Sequence, residues 1–327
     1  SFAQLIPNGS TARNLYLYRW ATDDIVLVSA ATGQSIVAPG VSVDVADAST
    51  DASFSMTADG AFAAFTASAT QVELAAEATS GRRNVFVRDL TATTAPTTLV
   101  SRTTSGLGGN GDSTGPIISR DGSVVVFESL ATDLVDTVSD TASFVDIFAR
   151  PMSGATRAGA ISLLTRDSEV PAGGNQSAAL EGVSADGRYV AWRSAATNFV
   201  NPAVVMDGNG AEDVFVRDRV ALTTSVKSVV PAGVTATANA ASGSSTLLPG
   251  GGAAFFSEAT NLLVTPPTVG LNIFAPALGV ADLAISIADA PDPALVGQPV
   301  VYTLAITNAG PAAATNTAQP SSRVCKL

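Results

Sequence analysis

One segment of the chain gathers side chains of the kind that bind hard metal ions. Asp207, Asn209, Glu212 and Asp213 lie within seven residues, and all carry oxygen donors. Ca²⁺ accepts such donors from irregular loops. Counted as an EF-hand loop from Asp207, position twelve is Asp218, where that motif has a bidentate Glu, and the segment continues into an apolar stretch typical of a strand. Two interpretations stand, a Ca²⁺ site with these four ligands and a solvated turn, and the turn is favoured.

Other polar side chains recur at regular positions. An Asp-Gly pair between two alternating apolar stretches is typical of a type I′ hairpin turn, so we interpret three aspartates as turn-forming residues: Asp59, Asp121 and Asp186. Three arginines follow a Phe at a spacing of two, and we expect them to pair with nearby carboxylates: Arg88, Arg150 and Arg217. Three asparagines occupy equivalent loop positions, where a capping role is favoured over ligand binding: Asn110, Asn175 and Asn239.

Composition and residue types exclude several functions. The chain has no histidine, which removes Ser-His-Asp and Cys-His catalysis and the usual zinc sites, and Cys325 near the end is a poor nucleophile candidate. We therefore predict no catalytic residues and no enzyme activity. A net charge of −11 with 17 Lys and Arg residues excludes a nucleic-acid partner, and no apolar run is long enough for a membrane span. Apart from the Ca²⁺ considered above, no cofactor is predicted.

Two Asn-x-Ser sequences match the acceptor pattern for N-linked glycosylation, at Asn8 and Asn175. Thr-rich loops such as the one from Thr91 also suit O-linked sugar. We therefore include glycans among the expected modifications.

The elements that would position these side chains form a repeat. Asp-Gly or Gly-Gly pairs begin at 59, 121, 186 and 250, and each is flanked by alternating apolar residues that predict a β-hairpin. A third strand follows each hairpin after a loop, and five such strands are predicted near Leu15, Val85, Ile147, Val214 and Ile273. Fourth strands are predicted after the first four of these. Four-stranded meanders at near-constant spacing indicate an all-β fold, a β-propeller of five or more blades.

The pattern changes near Ala281. Two alternating stretches, DLAISIA and VVYTLAIT, are separated by a Pro-rich turn. We predict two domains, a propeller over 1–279 and a short Ig-like β-segment or strand-exchange tail over 280–327. Two strands cannot bury a core alone, so another strand must complete this sheet.

The phrases SADGRYVAWRSAATNFV and EDVFVRD resemble the TolB-type β-propeller repeats of secreted and surface bacterial proteins, over about residues 1–278. Residues 281–317 resemble the start of an Ig-like repeat found in tandem on bacterial surface proteins. These resemblances imply an extracellular or cell-surface location and say little about activity.

Our leading hypothesis is therefore a non-enzymatic extracellular structural or adhesive protein. It would assemble as a homo-oligomer or fibre when terminal strands pair with a neighbour, because open strand edges recruit other strands. The alternative is a monomeric propeller that binds carbohydrate, peptide or calcium through its loops.

Overall fold

The computed structural model describes thirteen stretches of the chain, namely residues 15–19, 21, 23–29, 53–68, 82–91, 97–140, 144–152, 159–230, 236–263, 270–275, 283–290, 299–308 and 324–326. The chain divides into two compact units, Ser1–Phe274 and Ala275–Leu327. The sequence-based boundary lies five residues later. Each unit is described here by itself.

The first unit is a succession of antiparallel meanders in chain order. A two-stranded sheet, β1–β2, comes first. Three four-stranded sheets follow, β3–β6, β7–β10 and β11–β14, and then a three-stranded sheet, β15–β17. The strands are β1 Tyr16–Arg19, β2 Asp24–Leu27, β3 Phe54–Met56, β4 Phe62–Ser68, β5 Arg83–Asp89, β6 Thr97–Leu99, β7 Ser113–Ile118, β8 Val124–Ser129, β9 Asp146–Pro151, β10 Ser162–Leu163, β11 Ala178–Val183, β12 Tyr189–Ser194, β13 Asp213–Asp218, β14 Thr223–Val226, β15 Ser242–Leu248, β16 Gly252–Ser257 and β17 Asn272–Phe274. No helix in the described part of the chain is long and apolar enough to cross a membrane.

Each hairpin is joined to its third strand by the same aromatic contact. In all four sheets that carry a hairpin, an aromatic residue of the second strand lies directly opposite a Phe of the third strand. The ring centroids are 5.8 to 6.0 Å apart and the rings are stacked. Cross-strand aromatic pairs of this kind stabilise a sheet beyond the area they bury. The pairs are Phe65–Phe86, Phe127–Phe148, Trp192–Phe215 and Phe255–Phe274.

Consecutive sheets bury apolar residues against each other. Four hydrophobic clusters form the core, and each combines side chains from one sheet and the next. Ile147 of β9, for example, packs with Val190 and Trp192 of β12 in the following sheet. Four-stranded antiparallel meanders that pack face to face in succession are the units of a β-propeller, so the predicted propeller fold is confirmed. The number of blades, five or more, stays a prediction. The predicted hairpins, third strands and fourth strands are also found at their expected places.

The Asp-Gly turns differ from the type I′ turns we expected. Only the glycine has a positive φ, as at Gly60 with φ 69°, and the preceding aspartates are absent from the positive-φ residues. A type I′ turn needs a positive φ at both central residues, so that prediction was wrong. Instead, the Gly60 amide donates to Thr57 O at 3.1 Å and the Thr57 amide to Phe62 O at 3.0 Å. The loop is therefore a type I turn followed by a left-handed glycine.

Neighbouring turns are bonded to one another through the backbone. The Ala58 amide donates to Arg120 O at 3.0 Å, and the Asp121 amide donates to Ala185 O at 3.1 Å. These bonds link the first hairpin turn to the second and the second to the third. The sheets are thus joined at this end by main-chain hydrogen bonds as well as by apolar packing.

The second unit contains one antiparallel sheet with the order β18–β19–β20, formed by Leu283–Ala290, Pro299–Asn308 and Val324–Lys326. The first two strands are those predicted. The third lies in a segment for which no strand was predicted, where Val300 pairs with Cys325. This segment supplies the additional strand that a two-stranded sheet requires.

The stacking predicts different costs for one substitution at two equivalent positions. Ile147 and Ile273 are each the second residue of a third strand, but Ile147 is fully buried by the next sheet and Ile273 is 69% exposed. We expect Ile147→Ala to lower the free energy of unfolding by about 2–5 kcal/mol. Ile273→Ala should change it by about 0.5 kcal/mol or less. Urea denaturation of both variants would measure this, and equal costs would contradict the assignment of the two faces.

Candidate metal centre

The third strands begin with a repeated polar arrangement. A hydroxyl from the segment after the fourth strand donates a hydrogen bond to the side chain of the polar residue at the start of the third strand. The same hydroxyl accepts a hydrogen bond from the backbone amide of the next residue. In the third complete sheet, Ser228 Oγ donates to Asp213 Oδ1 at 2.6 Å and accepts from Val214 N at 3.0 Å. In the second, Thr165 Oγ1 bonds Asp146 Oδ1 at 2.5 Å and Ile147 N at 3.0 Å. The arrangement fixes a carboxylate at the start of the strand.

Asp213 has an oxygen that this arrangement does not use. The residue is completely buried, and its Oδ2 has no hydrogen-bond partner among the described residues. A buried carboxylate oxygen without a partner is costly, because desolvation is not compensated. Burial and, to a smaller degree, the charge of Asp207 raise the pKa of Asp213 to about 7, although the hydroxyls of Ser228 and Thr237 oppose the shift.

Of the four ligands predicted in this segment, the structure brings two together. Asp207 lies close enough to act on the charge of Asp213, and Thr237 Oγ1 donates to Asp207 Oδ1 at 3.4 Å. The Asn209 amide is used within the fold, since its Oδ1 accepts from Ala211 N at 2.6 Å and its Nδ2 donates to Ala238 O. Glu212 lies 3.3 Å from Nε of Arg193 and is half exposed. The predicted four-residue set is therefore reduced to an aspartate pair.

Asp218, the last position of an EF-hand count, lies elsewhere. It is at the far end of β13 from Asp213, where Arg188 bonds it at 2.7 Å. Hydrogen bonds from Arg188 and from the Ala221 and Val220 amides hold its pKa far below the usual range. A strand rises about 3.3 Å per residue, so Asp218 cannot reach an ion held by Asp213.

A second aspartate pair occupies the equivalent place in the preceding sheet, and sequence reasoning missed it. Asp140 precedes Asp146 by six residues, as Asp207 precedes Asp213. Asp146 is 1% exposed, and its Oδ2 also lacks a partner among the described residues. Burial and, to a smaller degree, the charge of Asp140 raise its pKa to about 7, although the Thr165 hydroxyl and the Gly174 amide oppose the shift. Burial raises the pKa of Asp140 to about 6. The shared spacing was visible in the sequence once the third strands were aligned.

The two carboxylates of this second pair converge on one glycine. A methyl group built at Gly173 would lie 3.5 Å from Asp146 Oδ2 and 3.7 Å from Asp140 Oδ1. Gly173 is the counterpart of Thr237, since the parallel bridges Ser139–Ala172 and Met206–Ala236 place the two segments alike. Within the described residues, no group of three or more Asp, Glu, Cys or His side chains converges on one point. Any ion held here must therefore complete its shell with hydroxyl, carbonyl or water oxygens.

The equivalent asparagines are structural, as predicted. Asn175 Oδ1 accepts from Thr197 N at 3.0 Å and its Nδ2 donates to Thr197 Oγ1 at 2.8 Å. Asn110 and Asn239 make the same pair of bonds to Thr132 and Thr260. The amide thereby closes each loop onto the strand pair. Glycosylation of Asn175 stays a prediction, and Asn8 lies outside the described residues.

The carboxylates of the hairpin turns are structural too. Asp186 Oδ1 accepts from Ser184 Oγ at 2.6 Å and from Arg188 N at 3.1 Å, and these bonds lower its pKa. Asp59 and Asp121 accept the same two kinds of bond. Such short side-chain bonds stabilise turns, so the turn-forming interpretation is confirmed.

We predicted carboxylate partners for the repeated arginines, and this prediction was wrong for Arg150 and Arg217. Arg150 is 4% exposed and donates to the carbonyls of Gly159 and Arg102 at 2.9 and 2.5 Å. Arg217 donates to Thr224 Oγ1 at 3.1 Å, and Arg88 makes a similar bond to Thr97. Burial lowers the pKa of Arg150 to about 10. These guanidinium groups hold outer strands and loops together, and Arg217 also contributes to the lining of the cavity described next.

A cavity of about 780 Å³ lies beside the fourth strand β14. Loop residues 166–171 and 199–205 form its other walls, and its lining includes Val170, Val204, Leu222 and Arg217. Its volume is in the range of small-ligand sites.

No protein-family model matches the sequence. No curated protein matches it either. Among solved structures, TolB from Acinetobacter baumannii is 14% identical with a TM-score of 0.38, and the match covers 77% of this chain and 47% of that one. A putative TolB from Agrobacterium tumefaciens is 12% identical with a TM-score of 0.39, covering 97% and 84%.

A third solved structure, from a study of two prolyl endopeptidases, is 15% identical with a TM-score of 0.40, and the match covers 95% of this chain and 42% of that one. The chain thus spans about half the length of the Acinetobacter protein and less than half of the peptidase. The activities named in these descriptions belong to those proteins. The propeller assignment of this chain rests on its own strand pairing and sheet stacking.

The aspartate pairs predict that the stability of the metal-free protein, measured with a chelator present, depends on pH. Asp146 and Asp213, each facing a second aspartate, have pKa values of about 7 in the folded protein, against about 3.9 in an unfolded chain. The free energy of unfolding that the protonated groups contribute is therefore fully present below about pH 4 and is lost as the pH rises through about 7. The free energy lost is up to about 4 kcal/mol for each group.

Chemical denaturation across this pH range, with chelator present, would measure the loss. Asp146→Asn and Asp213→Asn should each flatten the profile, because the amide does not ionise. A profile with the same slope in wild type and in the double variant would contradict this prediction.

Proposed function

We propose that the chain is a non-enzymatic extracellular scaffold that associates end to end with further copies through the outward faces of its first and last sheets. The observation that carries this proposal is the exposure of Ile273. Its equivalents Val85, Ile147 and Val214 are fully buried, because the following sheet covers each of them, whereas Ile273 is 69% exposed. The last sheet thus presents a surface built to receive another sheet.

Other side chains extend this surface. Phe256 lies directly opposite Ile273 on the neighbouring strand and is 39% exposed, and the adjacent Leu271 is 65% exposed. An apolar patch of this kind, bordered by polar residues, marks an interaction surface. In the three complete sheets a fourth strand also pairs with the third strand, whereas β17 lies at the edge of its sheet in the described part of the chain. A strand from a neighbour fits at that edge.

The first sheet supplies a complementary face. Tyr16 occupies the position of Phe86, Phe148 and Phe215, each of which packs against the preceding sheet and is 0% to 2% exposed. Tyr16 is 36% exposed and Ile25, on the next strand, is 37% exposed. Joining the last sheet of one copy to the first sheet of another would repeat a contact that the chain already makes four times. A head-to-tail contact produces a ring when its rotation closes and a filament when it does not, and our proposal is the filament.

The non-enzymatic part of the proposal is supported by the engagement of the polar residues. The repeated aspartates, arginines and asparagines described above form turns, brace loops and close strand ends. Glu181, an acidic residue with a 7% exposed side chain, accepts the Ser244 and Ser245 amides at 2.6 and 2.8 Å. Its carboxylate is therefore used to hold a bulged strand of the next sheet.

A second candidate function is ligand binding in the cavity beside β14, which suits a carbohydrate or a peptide. The observation in its favour is the exposed apolar lining, with Val170 52%, Val204 62% and Leu222 68% exposed. A glycan array and a peptide library probed with the purified chain would test it, and an absence of binding in both would remove this candidate.

Substitution of Ile273 tests the end-to-end contact. Ile273→Asp places a charge in the proposed interface and should weaken self-association by about tenfold or more. Because the side chain is exposed in the single chain, the melting temperature of the dilute protein should hardly change. Sedimentation velocity and electron microscopy over a range of concentrations would measure the association.

Leu107→Asp is the matched control, since Leu107 is 57% exposed and lies in a loop outside both outward faces. It should associate like the wild type. Uniformly monomeric wild-type particles at all concentrations, or an equal effect of both substitutions, would overturn the proposed function.

A further inference from the structure

A buried carboxylate oxygen without a protein partner occurs at the same place in two consecutive sheets. Asp146 and Asp213 are 1% and 0% exposed, and Oδ2 of each is enclosed by protein with no hydrogen bond of ordinary geometry within the part of the chain that is described. The nearby donors, the Gly174 amide and the Thr237 hydroxyl, only partly offset the effect of burial on the two carboxylates. Their Oδ1 atoms are held by Thr165 and Ser228 at 2.5 and 2.6 Å. The carboxylate plane is therefore fixed, and the second oxygen is presented to the neighbouring loop.

A second carboxylate approaches this oxygen in both cases. Asp140 Oδ1 and Asp146 Oδ2 both lie within 4 Å of the position of a methyl group on Gly173. In the other sheet, the Thr237 hydroxyl donates to Asp207 and also lies near enough to Asp213 to stabilise its charged form. When two carboxylates in a desolvated place are both ionised, they repel each other unless a positive charge lies between them. No Arg or Lys of the described residues is among the charges acting on Asp140, Asp146 or Asp213.

The other sheets show what the fold does when no ion is needed. Asn84 and Asn272 occupy the position of Asp146 and Asp213, and their Nδ2 atoms donate to the carbonyls of Arg82 and Gly270 at 3.2 and 2.8 Å. Asn84 Oδ1 accepts from Ser101 in the usual way. Six residues before these asparagines stand Ala78 and Pro266 rather than Asp. The upstream Asp thus occurs only where the strand begins with Asp.

We propose that each aspartate pair binds one Ca²⁺ ion, giving a site at Asp140–Asp146 and a second at Asp207–Asp213. The ligands are all oxygen atoms in irregular loops, which suits Ca²⁺ better than the nitrogen and sulfur preference of Zn²⁺ or the strict octahedron of Mg²⁺. Backbone carbonyls and water complete the shell, and the Thr237 hydroxyl is available at one site where the other has Gly173.

The position of the sites indicates what the ion does. Each upstream Asp follows a residue that pairs in parallel with the segment leading into the next sheet, through the bridges Ser139–Ala172 and Met206–Ala236. The downstream Asp begins a third strand. An ion bound by both would tie the loop, the third strand and the approach to the next sheet together. Binding therefore stabilises the junction between consecutive sheets, independently of any association between copies.

Calcium titration of the chelator-treated full chain tests the proposal. Isothermal titration calorimetry with CaCl₂ should give two ions per chain, and the melting temperature should rise by several degrees at saturation. Asp146→Asn and Asp213→Asn should each remove one ion, and the double variant should bind none. Both substitutions copy the natural Asn84, so folding should be retained. Asp140→Asn, at a partly exposed position, gives a second measure of the first site.

Glu258→Gln controls for nonspecific binding by an acidic protein, because it removes one exposed charge outside both sites. It should leave two ions per chain. The proposal is overturned if wild type melts at the same temperature in chelator and in Ca²⁺, or if the Asp→Asn variants bind as many ions as the control. Measurement on dilute single chains keeps these outcomes separate from a failure of end-to-end association.

Discussion

The described meanders of the first unit have two apolar faces, and both faces of each interior meander are covered by another sheet. Val85, Ile147 and Val214 point one way and are covered by the next meander, while the phenylalanines of the same strands point the other way and are covered by the previous one. Apolar burial supplies most of the free energy of folding, so this requirement sets the order, spacing and direction of all the sheets. No meander is an independent folding unit, because its core belongs half to each neighbour.

The same requirement explains why the polar residues are so regular. Stacking buries part of the backbone at the strand ends, and each backbone amide buried there needs a partner. The chain solves this with a small set of side chains repeated at each sheet: a hydroxyl at the strand entry, an asparagine closing the loop, and an acidic or hydroxyl group bonding the bulged strand of the neighbour. The regular spacing of polar residues therefore reflects structure in most places, and a departure from it is the useful sign of chemistry.

The sequence was sufficient to predict the strands, their grouping into meanders and the propeller, because alternation and turn residues act locally. It also predicted the roles of Asn110, Asn175 and Asn239, whose regular spacing reflects a regular bond. It failed where the answer depends on distance across the fold. The predicted carboxylate set was sought within one continuous loop, so it included Glu212, which lies beside Arg193, and omitted Asp140, which lies near Asp146. The partners of Arg150 lie on other segments, and their carbonyl groups have no signature in the sequence.

Turn geometry was another limit of sequence reasoning, since Asp-Gly suits more than one hairpin loop. The loop actually formed directs its free amides outward, where they bond the next turn, from Ala58 to Arg120 and from Asp121 to Ala185. Main-chain bonds between successive repeats make the free energy of one meander depend on whether its neighbour is folded. Unfolding should then behave as a one-dimensional cooperative system, in which loss of order starts at a terminal meander and proceeds inward, while an interior meander opens only together with those beside it.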